Sequence, residues 1–243
     1  MKALLSTTYF GPIQWYQKLY RSEEVQIEQW ESFQKQTYRN RCLIATTQGI
    51  QALTVPVERN SQLSARRNVA CYQRNARTLN SQLIKDVRIS DHGNWRHLHW
   101  NALVSAYGES PFFEYYQDDI RPFFENRWNY LLDFNEAIRE KMCELLDIQP
   151  KVVPTPCPSQ GEGRLDTPNA ESVPEGNQPP LPLGGVGGGY DFRSVIRPKH
   201  PIEDPDFEPK PYYQVYQQKH GFLPNLSVLD LLFNMGPEGI FYL

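Results

Sequence analysis

The N-terminal part of the chain alternates short apolar runs with one helical stretch. Lys2 to Thr7 has the apolar character of a buried strand, Ile13 to Tyr20 has apolar residues at helical spacing, and Val25 to Gln29 is a second strand candidate. This β-loop-α-β order predicts a parallel strand pair, because parallel strands need a crossover connection. In open α/β sheets of this kind, ligands bind at the carboxyl ends of the strands.

A β-hairpin is predicted next. Cys42 to Ala45 and Ala52 to Val57 are apolar runs that flank a turn containing Gly49. We therefore expect a small mixed sheet and an α/β fold, with α+β as the alternative.

The middle of the chain has helical periodicity. Asp91 or Asn94 can cap one helix, and Asp133 can cap another that runs through Leu146. The buried stripe predicted for the first helix consists of Trp95, His99, Ala102, Leu103 and Ala106.

The C-terminal third divides into a linker and a docking segment. Residues 150 to 189 contain 17 Gly or Pro and no aromatic residue, which predicts a flexible linker that we extend to residue 198. Ser227 before an apolar run closed by Gly236 predicts a last helix. A segment of about 45 residues is too short for its own core, so residues 199 to 243 are expected to dock onto the body formed by residues 1 to 149.

Composition and charge narrow the possible classes of protein. The 243 residues include 25 basic and 28 acidic side chains, a balance that argues against a nucleic-acid-binding surface. No apolar run approaches the roughly 18 residues of a transmembrane helix, and the short apolar stretch at the N-terminus is not a signal peptide, so a cytoplasmic location is expected. The four cysteines are far apart, lack metal-ligand spacing and are expected to be reduced structural thiols.

Three histidines form the first candidate for chemistry. His92, His97 and His99 surround Arg96 near the predicted start of a helix. His92 and His99 share a helix face while His97 points elsewhere, so no common metal site is expected. A single histidine could act as a general acid or base, or each could be a structural or solvated residue.

A basic cluster before the hairpin is the second candidate. Lys35, Arg39, Asn40 and Arg41 suit phosphate or carboxylate recognition, since a guanidinium group donates paired hydrogen bonds to oxyanions. Structural ion pairs would explain the same residues equally well. A basic insertion at residues 59 to 85 has six basic residues and no acidic one, and fits a solvated loop or a site for a phosphate-rich ligand.

The loop after the first predicted strand is the third candidate. Tyr9 and Trp15 could stack on a base or a sugar ring, and Gly11 allows a ligand to approach the backbone. Packing of Trp15 in the core is the alternative.

Several long segments together resemble the WbqC-like protein family, in the form seen in Bacteroidetes. They are YFGPIQWYQKL, KQTYRNRCLIATTQGIQALTVPVE, DVRISDHGNWRHLHWNALVSAYGESPFFEYY and GFLPNLSVLDLLFNMGP. The Asn40-Arg41 pair, the Val55-Pro56-Val57 strand end, Trp95 and His99 match the family. The broader family usually opens with a Gln-Pro-x-Tyr-x-Pro segment, whereas Thr7-Thr8-Tyr9-Phe10-Gly11-Pro12 lacks that Gln-Pro.

The resemblance implies a role in bacterial polysaccharide gene clusters, notably in the synthesis of lipopolysaccharide O-antigen. One hypothesis is a transferase that adds an acyl or aminoacyl group to an amino sugar carried on a nucleotide or lipid. Arg39 and Arg41 would then hold phosphates of an anionic nucleotide sugar, and one of the three histidines would move the proton. The second hypothesis is a noncatalytic binding or assembly protein whose partners are polysaccharide-pathway enzymes. The sequence assigns no cofactor.

Overall fold

The computed structural model describes residues 1–58, 82–155, 181–183, 189–199 and 202–243. Two short 3₁₀ helices, Ile84–Asp86 and Gly236–Tyr242, accompany the regular elements. The strands and α-helices follow in the order β1 (Lys2–Ser6), α1 (Ile13–Arg21), β2 (Glu24–Glu28), β3 (Arg41–Thr46), β4 (Gly49–Thr54), α2 (Trp95–Tyr107), α3 (Phe113–Ile120), α4 (Pro122–Glu125), α5 (Leu131–Leu145), β5 (Val152–Pro154), β6 (Leu181–Leu183), β7 (Gly189–Asp191), α6 (Gln217–His220) and α7 (Val228–Met235).

The central sheet has the strand order β5-β2-β1-β7-β6. β1 pairs in parallel with both β2 and β7, β2 pairs in parallel with β5, and β6 is antiparallel to β7. β3 and β4 form the predicted antiparallel hairpin, which is a separate two-stranded sheet. The predicted α/β fold, with its β-loop-α-β start and mixed sheet, is confirmed.

The strand order creates a switch point beside β1. The chain leaves β1 through α1 and returns as β2 on one side, whereas β7 lies on the other side of β1. In open α/β sheets, a crevice forms at the carboxyl ends of the strands where the order reverses in this way. Residues that follow β1 and β7 therefore occupy the position at which this architecture usually binds ligands.

The C-terminal helix α7 packs into the body of the molecule. Ser227 accepts a hydrogen bond from the Leu229 N–H and caps the helix, as its sequence position predicts. Asp230 is fully buried and accepts hydrogen bonds from the hydroxyls of Tyr107, at 2.8 Å, and Tyr212, at 2.5 Å. These bonds connect α7 to α2 and to the segment before α6.

The segment predicted as a linker contributes strands where the structure describes it. β5, β6 and β7 all lie between residues 150 and 198, so these parts belong to the central sheet and differ from the flexible chain that the Gly and Pro content predicts. Val152 and Val153 are β-branched and pair with β2. The high Gly and Pro content of the segment as a whole gave no indication of this strand. Residues 156–180 and 184–188 lie outside the described residues, as do residues 59–81 of the basic insertion.

The structure describes the last residues of the basic insertion, from residue 82 onwards. Ile84 is buried, and the Lys85 ammonium lies 3.7 Å from the centre of the Trp30 ring. Cys42 and Cys143 are buried free thiols, whereas Cys71 and Cys157 fall outside the described residues. No helix within the described ranges is long and apolar enough to cross a membrane.

Candidate functional site

Two cavities of the described structure are lined by residues of the predicted clusters. We call the first the crevice: it lies at the ends of β1 and β7 and is lined by Leu5, Ser6, Thr7, Thr8, Trp15, Tyr38, Arg39, Phe192, Arg193 and Ile196. We call the second the arginine cleft: it lies on α2 and α4 with their flanking residues and is lined by Asp91, Asn94, Arg96, His97, Trp100, Arg121, Phe124, Glu125 and Arg127.

Arg39 is a buried member of the crevice and is held by an ion pair. Its Nε lies 2.7 Å from Oε1 of Glu31, and its Nη2 lies 2.6 Å from Oε2. Nη2 also donates to the Ser6 hydroxyl at 2.8 Å, and that hydroxyl donates to Glu31 at 3.3 Å. Both charged side chains are at most 9% exposed. The guanidinium predicted to clamp a phosphate therefore already has a carboxylate partner.

Arg193 continues this charge network from β7. Its guanidinium donates to Asp191 at 2.6 Å and lies 3.7 Å from a Glu28 carboxylate oxygen. Proximity to these carboxylates, above all the hydrogen bond to Asp191, raises the pKa of Arg193 although burial opposes the shift. Glu28, which the sequence places at the end of the second strand, thus neighbours the crevice.

The other residues of the basic cluster are not brought into the crevice. Arg41 donates from Nε to Thr54 Oγ1 at 3.0 Å across the β3–β4 hairpin. Asn40 is buried and donates from Nδ2 to the Val55 carbonyl at 2.9 Å. Lys35 is exposed. Arg39 is therefore the member of this cluster that lines the crevice, and Arg41 lies elsewhere.

The aromatic residues of the β1–α1 loop are buried. Trp15 donates its indole N–H to the Ser6 carbonyl at 2.9 Å and forms part of the crevice wall. Tyr9 is fully buried, and its hydroxyl lies 2.9 Å from Nδ1 of His99. Burial raises the pKa of Tyr9 well above its ordinary value, so its hydroxyl stays protonated. In this structure Tyr9 packs as a core residue, with no exposed face for stacking on a ligand.

His99 is a buried neutral imidazole. Burial lowers its pKa to about 4, an effect that a hydrogen bond to the Thr54 backbone partly opposes. The Tyr9 hydroxyl and Nδ1 of His99 share one hydrogen bond, whose direction is set by the tautomer of the ring, and the Thr54 backbone is the second partner of the imidazole. His99 therefore ties α2 to the loop after β1 and to the end of β4, as the structural interpretation of this histidine predicts.

The arginine cleft is larger and more open than the crevice. Its volume is about 370 Å³, whereas the crevice has about 10 Å³, which suffices for one water-sized group. Of the three predicted histidines, His97 lines the cleft, His99 lies in the core, and His92 is exposed near the start of α2. His97 is exposed, and its Nε2 lies 2.9 Å from Nδ2 of Asn101.

Arg96 lies against the protein on one side of the cleft. Its Nη1 is 2.7 Å from Asp91, and its guanidinium carbon lies 4.7 Å from the centre of the Trp95 ring. Its Nε and Nη2 atoms are buried and have no hydrogen-bond partner among the described residues. These two nitrogens have almost no accessible surface, so Arg96 contributes positive charge to the cleft rather than free hydrogen-bond donors.

Two further arginines complete the cleft. Arg121 pairs with Glu125 at 2.6 Å, and both side chains are more than half exposed. Arg127 is 85% exposed and lies 3.8 Å from Asp91. Both arginines flank the short helix α4, and the sequence analysis missed them because neither belongs to a basic cluster or a motif. The guanidinium groups exceed the carboxylates by one positive charge among the lining residues.

The start of α2 adds to the attraction for anions. Asn94, at its N-terminus, has a left-handed backbone conformation with φ of 45° and makes no side-chain capping hydrogen bond. The first backbone N–H groups of a helix lack intrahelical acceptors and carry a partial positive charge. Together with Arg96, Arg121 and Arg127, they make the cleft suitable for a phosphate or carboxylate group.

Comparison with known proteins places the chain in a family. The model of the WbqC-like protein family matches residues 7–164. The chain belongs to the WbqC-like protein family. It is also 26% identical over 212 residues to the uncharacterized protein Rv1507c of Mycobacterium tuberculosis, a match that covers 87% of this chain and 83% of the relative. No solved structure gives a significant match.

The WbqC-like match covers the whole lining of the arginine cleft. It covers the crevice in part, since it includes Thr7, Thr8 and Arg39 but ends before β7 and Arg193. The C-terminal segment that resembles the family in sequence, including α7, lies beyond the matched range.

Proposed function

We propose that this WbqC-like protein binds a phosphorylated sugar, of the nucleotide-sugar type, in the arginine cleft. The observation that carries the proposal is the convergence of Arg96, Arg121 and Arg127 on one open space of about 370 Å³. Phosphate groups accept charge-assisted hydrogen bonds from guanidinium groups, often in pairs. The positive charge of Arg96, which also lines the cleft, adds to the attraction for such a group.

The apolar part of the cleft suits the remainder of such a ligand. Trp100 is partly exposed there, and its ring lies 5.8 Å from that of Phe124 between centroids. Planar bases and the apolar faces of sugars pack against aromatic rings of this kind. A nucleotide sugar therefore matches both the charge and the aromatic surface, whereas inorganic phosphate uses the charge alone.

The biological setting that we propose is cytoplasmic synthesis of a bacterial surface polysaccharide of the O-antigen type. The proposed reaction is transfer of an acyl or aminoacyl group to the amine of the bound sugar. A bond forms between the amine nitrogen and the acyl carbon of an activated ester or thioester, and the bond to the donor's oxygen or sulfur breaks. His97 lies in the cleft and would accept the amine proton.

A noncatalytic role in assembly of a polysaccharide pathway is the second candidate. Large apolar side chains on the surface favour it, since Leu98 is 61% exposed and Tyr115 is 75% exposed. This candidate predicts co-purification with a pathway enzyme and no turnover of sugar substrates.

Isothermal titration calorimetry with UDP-N-acetylglucosamine, GDP-mannose, UMP and glucose 1-phosphate tests the proposed ligand class. We expect saturable binding of the nucleotide sugars. Each of Arg121→Gln and Arg127→Gln should weaken binding about tenfold, because each removes a charged hydrogen-bond donor worth roughly 1.5 kcal/mol.

Arg197→Gln provides the matched control, because Arg197 is an exposed arginine outside the cleft lining. Its affinity should equal that of the unmodified protein. Absence of saturable binding across the panel, or equal affinities in all three variants, would contradict the proposal.

A further inference from the structure

Strand β4 has an open edge. Among the described strands it pairs with β3 alone, in a register that sets Ile50 opposite Ala45. The Ala45 N–H donates to the Tyr107 hydroxyl at 3.1 Å and therefore points away from β4. Ala45 and Ile50 are thus a pair that exchanges no backbone hydrogen bonds, and such pairs alternate with bonded ones in an antiparallel ladder. It follows that the N–H and C=O groups of Ile50 and, two residues further on, of Ala52 point outward from the hairpin.

These outward groups are accessible. Further along β4 the edge is occupied, since the Thr54 backbone bonds to His99 of α2. No described residue forms a hydrogen bond with the outward backbone groups of Ile50 or Ala52. Both side chains are exposed, that of Ile50 to 53%, and so is Gln51 between them. We call these three residues, Ile50 to Ala52, the hairpin edge.

The hairpin edge lacks the features that usually keep exposed strand edges apart. Proteins protect such edges with charged side chains, proline or a β-bulge. The sequence of β4, Gly-Ile-Gln-Ala-Leu-Thr, has no charge and no proline. Its register with β3 is continuous from Gly49 to Thr54, so it contains no bulge. An edge of this kind is a template for pairing with another strand.

The pattern of the hairpin edge is complementary to itself. When two copies of β4 run antiparallel about a twofold axis at Gln51, Ile50 of each copy faces Ala52 of the other. Because both residues direct their backbone groups outward, the two copies can exchange four hydrogen bonds. The Ile50 and Ala52 side chains would then share one face of the sheet, and the two Gln51 amides would meet on the other face, where they can bond to each other.

From these features we propose that two copies of the chain associate through the hairpin edge, with their β4 strands antiparallel. The association joins the two hairpins into a four-stranded sheet with the order β3-β4-β4-β3. A second copy fits better than a different protein, because the same three residues supply matching donors, acceptors and apolar surface to both sides. The inference does not depend on the proposed function, since none of these residues lines the arginine cleft.

Sedimentation velocity of the full-length protein between about 2 and 200 µM tests the association. We expect a reversible equilibrium in which the mass approaches twice the 28.3 kDa of the monomer. Gln51→Lys places two ammonium groups opposite each other at the axis, so the dissociation constant should rise at least about tenfold. Gln48→Lys is the matched control, because it adds the same charge at an exposed glutamine in the turn of the same hairpin. Its dissociation constant should stay within about twofold of the unmodified protein.

Cross-linking through introduced cysteines tests the register. Gln51→Cys brings two thiols to a non-hydrogen-bonded pair with Cα atoms about 4.5 Å apart, which a disulfide can span. In Gln48→Cys the two positions lie about 20 Å apart, since each is three residues from the axis. Both variants carry Cys71→Ser and Cys157→Ser, because these native cysteines fall outside the described residues and the other two are buried. Mild oxidation should convert Gln51→Cys, and not Gln48→Cys, into a covalent dimer on a nonreducing gel.

Two results would overturn the proposal. A monomer at every concentration would mean that the hairpin edge is left free or takes up an extended segment of another protein. A dimer that Gln51→Lys does not weaken, or that cross-links equally through both cysteine positions, would place the contact elsewhere on the molecule. Melting temperatures at about 2 µM should agree within about 1 °C among the variants, because both glutamines are exposed, and this agreement separates loss of association from loss of folding.

Discussion

The crevice and the arginine cleft both contain arginines, yet their guanidinium groups are in opposite situations. Arg39 lies just before β3, its side chain and that of Glu31 are nearly inaccessible, and its donors point to Glu31 and Ser6. Arg121 and Arg127 flank a short surface helix and are more than half exposed. The comparison shows that burial and partners, rather than residue type, decide whether an arginine is available to a ligand.

Sequence separation does not distinguish the partners in the two regions. Glu31 precedes Arg39 by eight residues and Ser6 lies 33 residues away, whereas in the cleft Arg121 pairs with Glu125 one helical turn away and Arg127 lies near Asp91, 36 residues away. Burial distinguishes them: the Arg39–Glu31 pair is part of the core, while the exposed pairs of the cleft leave its surface adaptable.

The largest expected difference between the regions is in stability. Arg39→Met leaves the Glu31 carboxylate buried with its main partner removed, which should lower the free energy of unfolding by about 3–5 kcal/mol. Arg121→Gln removes an exposed pair, and we expect a change below about 0.5 kcal/mol. Urea denaturation with linear extrapolation measures both.

A double variant shows whether the loss comes from the uncompensated charge. Arg39→Met combined with Glu31→Gln should be at least about 1 kcal/mol more stable than Arg39→Met alone. If Arg39→Met and Arg121→Gln lowered the free energy of unfolding by equally small amounts, Arg39 would not be a structural residue in the sense that distinguishes it from Arg121.

The two histidines on α2 allow a second test, based on pH. The pKa of His99 is lowered by burial to about 4, below the value near 6.5 of an unfolded chain. The unfolded state then binds more protons, so stability is lost as pH falls from about 6.5 towards 4 and is unaffected by this group above that range. The loss should reach about 3 kcal/mol at pH 4 relative to pH 7.

Comparison with His99→Gln isolates this effect from the titration of other groups. Glutamine can accept from Tyr9 and donate to the Thr54 backbone but does not titrate. The variant should lose less stability between pH 7 and pH 4, whereas His97→Gln, on the exposed side of the same helix, should retain the full loss. An unchanged pH dependence in His99→Gln would show that this imidazole is not the buried neutral group.

Local pattern sufficed to predict the regular elements near the sites. Apolar spacing located β1, α1, β2, the hairpin and α2 within a few residues, because each buries a face with its own periodicity. The same reasoning missed β5, β6 and β7, since strands of three residues in a Gly- and Pro-rich segment carry almost no periodic signal. β5 and β7 are held by nonlocal pairing with β2 and β1, and β6 pairs with β7 at the edge of the sheet.

The candidate sites were less accessible to sequence reasoning than the fold. Arg39 was correctly placed near strand ends, but its ion pair depends on where the β2–β3 connection brings Glu31. Arg121 and Arg127 join Arg96 because α4 packs against α2, a tertiary contact that no spacing rule reports. In the structure Arg39 lines the crevice and Arg41 pairs across the hairpin, whereas Arg96, Arg121 and Arg127 line one cleft beside α2 and α4.

The smallest expected effect concerns Asp91, whose negative charge partly offsets the positive charge of the arginine cleft. Asp91 pairs with Arg96 at 2.7 Å and lies 3.8 Å from Arg127, so Asp91→Asn should leave both guanidinium groups more available to an anion. We expect UDP-N-acetylglucosamine to bind about two- to fivefold more tightly, the opposite sign to Arg127→Gln, with stability changed by less than about 1 kcal/mol because the Asp91 side chain is half exposed. Asp118→Asn, an exposed aspartate of α3 outside the cleft lining, controls for the overall change in charge. Equal effects of Asp91→Asn and Asp118→Asn would mean that net charge alone attracts the ligand, and weaker binding in Asp91→Asn would mean that Asp91 orients Arg96 rather than competing with the ligand for it.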